Sequence, residues 1–434
     1  MKTSRVHRLP LIVAVAAASI AFAVALVSGC GGSDEAAPLT ITVAGPNAVS
    51  YWNEVATATI NLPASATGTP EEQRPSTAVD LATVHVAIYD AVMAIAGTHQ
   101  PYAITPVAPA AGASQEAAVA AAAYRVLLGL FPSRSAQYQA AYDNYLLTLP
   151  NGSAKTQGLA VGAEVAAGIL ALRANDGRSV VLVAYVPGSA PGQFRGATPI
   201  NRNVQYIKPF SITSNSQFRA PGPPALDSAA YAADLNETKA LGSATSSVRS
   251  ADQTALARFG TEPPPAFWPI NSRIFATTDR SLAEHARLMA LIWVTQADAG
   301  NACFESKYFF QFWRPFTAIA LADTDGNAAT VADTTWTPVV PTPNHPEYPA
   351  AHSCVSASLA EIMNGYYGTA NITFDLVGNV SGVTRHYTTT QSMTEEIQLA
   401  RIAGGMHFRT STVDGEALGR NVARWVLAHH FQAR

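Results

Sequence analysis

The chain has 434 residues, 48% of them hydrophobic and only 13% charged, with a formal net charge of -3. A chain of that length can bury a sizeable core, and so weakly charged a composition excludes a nucleic-acid partner, which requires a basic face. Alanine-rich segments with little Val/Ile/Thr alternation point to an all-α protein.

Lys2, Arg5 and Arg8 precede an apolar run over 11–27 that ends in Leu26-Val27-Ser28-Gly29-Cys30. Residues 1–29 read as an export signal. Cys30 at the cleavage point resembles a bacterial lipoprotein box, in which it becomes the lipidated first residue of the mature chain. The expectation is a periplasmic or cell-envelope protein that meets the membrane only through that anchor. An ordinary secretory signal and a retained membrane anchor are the alternatives, since the run is almost long enough to span. Residues 30–46, rich in Gly, Ser, Ala and Pro, read as a tether.

Helices are predicted over 47–60, 79–92, 114–131, 133–149 and 155–175, with a loop over 68–75. Together 47–179 make an N-terminal helical half. His85 faces the same way as Leu81 and Tyr89 and reads as a core histidine. Residues 180–226 form a crossover, and 180–224, with its Gly, Pro, Ser and Asn, reads as one long ordered loop beside the entrance to a site.

The C-terminal bundle, 227–434, resumes with helices over 228–241, 250–259, 267–278 and 281–299, then one over 303–321. Lys307 and Arg314, seven apart, would share a face of that last helix, with Pro315 kinking or restarting it. Asp323 to Asn327 look like part of a calcium loop, but Thr334 stands where its last carboxylate belongs, so the stretch reads as a turn. A Pro-rich approach over 338–349 leads into a helix running to about residue 365. A loop or short hairpin over 374–391 and helices over 393–406 and 414–428 complete the chain. Cys303 and Cys354 are either one disulfide or two separate buried thiols.

Three clusters in this half carry chemistry. They are Lys307 to Pro315, with Arg314; His345 to His352, with Pro349-Ala350-Ala351-His352; and Arg401 to Arg409, with His407. Two Arg and a Lys suit a tetrahedral oxyanion. One imidazole can attack or ligate its central atom, and the other can move a proton. The aromatic setting of Tyr308, Phe309, Phe310, Phe312 and Trp313 would make an unpaired cation costly, and a bound anion removes that cost.

The order Lys-x6-Arg-Pro, Pro-x-x-His, Arg-x5-His resembles the superfamily that joins vanadium-dependent haloperoxidases with type 2 phosphatidic-acid phosphatases. The middle pattern there is Pro-Ser-Gly-His, so Ala350 and Ala351 depart from it, and the loss of the serine hydroxyl implies weaker oxyanion binding or a substitute donor. Ala400 replaces the usual Ser before Arg401, and Ser411 stands where many phosphatases of the superfamily carry an Asp that orients the last His.

The resemblance implies two packed helical bundles with the site in the C-terminal one. It implies vanadate as cofactor, bound through His407, with Lys307, Arg314, Arg401 and the Ala351 N–H around its oxygens and His352 as acid–base. Hydrogen peroxide, a halide and a small organic acceptor are the implied partners, and self-association is left open. His345 occupies a position that is often His in bromide-oxidising members, which favours bromide. The alternative is an acid phosphatase with His407 as nucleophile and His352 as proton donor. A non-catalytic oxyanion-binding protein is the third reading, prompted by Ala350 and Ala351 and opposed by the intact cations and imidazoles.

Overall fold

The computed structural model describes residues 39–40, 47–60, 77–262, 280–378 and 380–434. The export signal, Cys30, the loop over 68–75 and the helix predicted over 267–278 lie outside the described residues. Within the predicted tether, Leu39–Thr40 (β1) pairs in parallel with Ile372 and Thr373, so that stretch joins a sheet.

Among the described residues, five α-helices make the first half: α1 Ala48–Ile60, α2 Thr77–Ala96, α3 Gln115–Leu130, α4 Ser135–Leu147 and α5 Ser153–Arg173. Their ends follow the sequence. Ser114 accepts the Ala117 N–H at 3.1 Å and starts α3, as N-cap serines do, and Pro132 opens the short turn that separates α3 from α4. Small residues let these helices approach closely. A side chain at Gly162 on α5 would collide with the Ala118 carbonyl of α3.

Helix α2 is long and apolar enough to cross a membrane, but every residue from Val79 to Met93 is buried in the protein core. His85 is a core histidine. Its Nε2 sits 3.1 Å from Asn53 Oδ1, and burial pushes its pKa down to about 3.

The crossover is an ordered loop, held by a carboxylate. Asp298 accepts the backbone N–H groups of Phe210, Ser211 and Ile212 at 2.7, 2.7 and 3.0 Å. Further along, Phe194, Trp313 and Ile200 share main-chain hydrogen bonds with Gln311, Gly192 and Asn344. The loop therefore runs along the segments that carry the first two clusters.

The second half holds α6 Ala229–Gly242, α7 Ala251–Phe259, α8 Leu282–Phe310, α9 Pro315–Ala320, α10 Ala351–Tyr367, α11 Thr390–Ala403 and α12 Arg409–His429. A hairpin of β2 Ile372–Val377 and β3 Thr384–Tyr387 separates α10 from α11. The predicted break near residue 300 is absent, and α8 is one helix that packs on α2, α10 and α12. Packing on several sides overrides the weak breaker Gly300.

The shared helical face predicted for Lys307 and Arg314 is also corrected. Gln311 ends α8 in the left-handed region at φ 47°, and Arg314 is the N-cap of α9, with Pro315 in its first turn. The last helix begins at Arg409, five residues before the predicted 414.

Cys303 on α8 and Cys354 on α10 form a disulfide, with Cα atoms 6.5 Å apart and a sequence separation of 51. Closing a loop of that length is worth about 4 kcal/mol in chain entropy. Reduction, or the double change Cys303→Ala and Cys354→Ala, is expected to remove about 2–4 kcal/mol of stability. Calorimetric melts with and without reductant check this, and the double variant should no longer respond to reductant.

Candidate oxyanion site

Residues 338–350 form a non-helical strap with proline at 338, 341, 343, 346 and 349. Proline lacks an N–H but keeps its carbonyl, so such a strap is rich in acceptors. Lys307, at the end of α8, donates to the carbonyls of Glu347 at 2.8 Å and Pro346 at 3.2 Å, and also to that of Pro349. Arg314 donates from Nε to the His345 carbonyl at 2.8 Å and from Nη1 to that of Met406 at 2.9 Å. Both cations are fully buried. The seven-residue spacing thus brings them to one strap from two different helices.

His407 lies between α11 and α12, after Gly405 turns the chain at φ 77°. Its Nδ1 is 2.8 Å from Glu347 Oε1, and its Nε2 is 3.1 Å from Arg314 Nη1. A guanidinium only donates, so Nε2 carries the lone pair and Nδ1 the hydrogen. Glu347 Oε1 also accepts the Phe408 N–H at 3.0 Å.

Sequence reasoning missed Glu347. Its signal was indirect: the missing Asp at 411 left a histidine to be oriented, and the strap holds a carboxylate that can reach it. Burial pushes the Glu347 carboxyl up to about 7 against the opposing pull of Lys307 and Arg314.

His345 is buried beside the same guanidinium, its Nδ1 2.9 Å from Arg314 Nη2 and its ring centroid 5.2 Å from that of Phe304. Burial first, and the nearby cations second, hold His345, His352 and His407 well below the usual imidazole range, so all three are neutral at pH 7.

Arg401 is fully buried in the last turn of α11. It donates from Nη1 to the Gly260 carbonyl at 3.1 Å, while its Nε finds no acceptor among the described residues. His352, in the first turn of α10, has Nε2 3.5 Å from the Glu262 carbonyl, and Arg401 is its strongest charged neighbour. Segment 260–262 therefore touches both residues. Ala351 opens α10, and Ala350 before it gives no side-chain cap, so the first-turn N–H groups are left for an anion.

The structure thus joins Lys307, Arg314, His345 and His407 into one buried network around Glu347, with Arg401 linked to its cations by charge alone and His352 coupled to Arg401. Three cations share that interior with one carboxylate. The excess positive charge, the orphaned Arg401 Nε, the uncapped start of α10 and the lone pair of His407 Nε2 together fit a tetrahedral oxyanion such as vanadate or phosphate.

Arg401→Met follows from this charge excess. It removes a buried like charge, so the anion-free protein is expected to gain about 1 kcal/mol or more. Orthovanadate at a hundred times its Kd should stabilise the wild type by about 2.7 kcal/mol and the variant far less. Thermal melts with and without orthovanadate measure both effects.

Residues 287–433 match the family model described as the VCPO second helical-bundle domain. No curated protein sequence matches the chain. Among solved structures, the first bacterial vanadium-dependent iodoperoxidase is 22% identical with a TM-score of 0.70, covering 89% of this chain and 96% of its own. An apo-type bacterial vanadium-dependent chloroperoxidase is 16% identical with a TM-score of 0.69, covering 84% and 95%. A holo-type bacterial vanadium-dependent chloroperoxidase is 15% identical with a TM-score of 0.70, covering 89% and 98%. The chain has the mostly helical fold of these proteins, and its residues 287–433 resemble the VCPO second helical-bundle domain.

Proposed function

We propose that the protein is an exported vanadium-dependent haloperoxidase that uses hydrogen peroxide to oxidise halide to hypohalous acid, with a small organic molecule as acceptor. The observation that carries this reading is His407, buried among three cations with its Nε2 lone pair turned toward Arg314. When bound there, vanadate supplies a Lewis acid that activates peroxide toward halide without itself changing redox state.

The chain's own residues do the rest. Lys307, Arg314, Arg401 and the Ala351 N–H neutralise oxygen charge, and His407 Nε2 offers the ligating nitrogen. His352 is neutral and can take a proton from incoming peroxide and return it to a departing oxygen. Burial of the cage excludes water and strengthens each of these interactions.

Bromide is the favoured halide. His345 is buried with its Nδ1 2.9 Å from Arg314 Nη2, which puts a neutral, polarisable imidazole beside a fixed cation where a soft anion could sit. The resemblance of the signal over 1–29 and of Cys30 to a bacterial lipoprotein leader supports an exported, envelope-anchored protein.

The deciding assay supplies orthovanadate, bromide, peroxide and a phenolic dye to purified protein. Vanadate-dependent bromination that disappears in His407→Ala is expected. Hydrolysis of p-nitrophenyl phosphate without bromination would overturn the reading in favour of a phosphatase. His352→Ala should lower kcat about 10²–10⁴-fold while keeping the stabilisation by vanadate. His345→Phe should raise KM for bromide more than it lowers kcat.

A further inference from the structure

Resting on the oxyanion-site reading above, we propose that Glu347 is the positioning residue for His407. It performs from the strap the orienting role that an Asp four residues after the last His has in many phosphatases of the superfamily. One oxygen does two things. Glu347 Oε1 lies 2.8 Å from His407 Nδ1 and accepts the N–H of the next residue, Phe408, at 3.0 Å. The ring and the main chain that carries it are therefore held from the same point. Ser411, at the position of the missing Asp, has its hydroxyl 3.5 Å from Nδ1, too far to orient the ring by itself. With Nδ1–H given to Glu347, the lone pair is confined to Nε2, on the side of Arg314 and the cation cage.

A simpler role for Glu347 is charge compensation alone. Its carboxylate is fully buried beside Lys307 and Arg314, which it would offset wherever in the cage it sat. The two roles make different demands. Compensation needs a negative charge nearby, whereas positioning needs an oxygen at Nδ1. Two conservative substitutions separate them. Glu347→Asp keeps the charge and withdraws the oxygen by about one methylene. Glu347→Gln keeps an oxygen in place and removes the charge, and the Phe408 N–H favours the amide oxygen facing inward.

The experiment uses the full chain labelled with ¹⁵N-histidine and free of vanadate. Long-range proton–nitrogen correlations at pH 7 report the His407 tautomer, and His407→Gln assigns the signals. Calorimetry then measures binding of orthovanadate and of inorganic phosphate. In the wild type and Glu347→Gln, His407 is expected as the Nδ1–H tautomer, and Glu347→Gln should bind phosphate at least about tenfold more tightly because one opposing charge is gone.

In Glu347→Asp the tautomers should mix. Orthovanadate affinity should fall about tenfold while phosphate affinity stays within about twofold. An Nε2–H tautomer in the wild type would overturn the proposal. So would a Glu347→Asp protein with wild-type tautomer and wild-type vanadate affinity. Because the spectra need no turnover, a protein that fails to brominate but shows this tautomer pattern would refute the proposed activity and leave the positioning role standing.

Discussion

Burying Lys307, Arg314 and Arg401 in one place is the constraint on which the second half of this molecule is built. Each cation loses its hydration, and each raises the cost of the others, which is why burial and the neighbouring guanidiniums depress Lys307. Neutral carbonyls from the Pro-rich strap satisfy the donors of Lys307 and part of those of Arg314 but do not cancel the charge. A single carboxylate, Glu347, offsets part of it. Such an arrangement is poor engineering for stability, because apolar residues of similar volume would serve better. It makes sense as a prepaid electrostatic environment for a small, highly charged anion, whose binding supplies the missing negative charge.

The scaffold is arranged to hold that environment still. The strap is fastened along its length by main-chain bonds: Val339 N–H to the Gly242 carbonyl at 3.0 Å, Glu347 N–H to that of Phe312 at 2.9 Å, and Ala350 N–H to that of Ser411 at 3.0 Å. The Cys303–Cys354 bridge joins α8 one turn before Lys307 to α10 two residues after His352. Helix α12 presses against α10 where Gly419 meets the Cys354 carbonyl and a side chain would not fit. The crossover loop, pinned by Asp298 at 210–212, meets the strap where the Ile200 N–H donates to the Asn344 carbonyl at 2.9 Å. Elements from α6 to α12 thus converge on groups that face the cage.

Much of this was legible in the sequence, and the exceptions have physical causes. Alanine-rich runs, serine N-caps and Pro or Gly stops identify most helices because these signals act locally. The three clusters were readable because their residue types are rare in apolar company. The path from Lys307 to Arg314 was not, since the helix ends at Gln311, and no glycine marks its left-handed conformation. The break expected between 299 and 303 is removed by the packing of α8 against three helices. Glu347 escaped notice because a lone glutamate among prolines looks like a solvated loop residue. Only the fold shows that its side chain is fully buried.

That last omission shows how a chemical requirement can outlive the position that usually meets it. An imidazole that must offer Nε2 needs an acceptor at Nδ1, and the direction of approach matters more than the helix that supplies it. In this chain the acceptor comes from the strap, not from α12, where Ser411 instead uses its backbone carbonyl to hold Ala350. The strap then carries the His345 ring beside Arg314, the carbonyls that bind Lys307 and the carboxylate that bonds His407. With these groups on a few consecutive residues of proline-stiffened chain, they are displaced together or not at all. A strap substitution that shifts Glu347 is therefore felt at once by Lys307, by His345 and by the ring of His407.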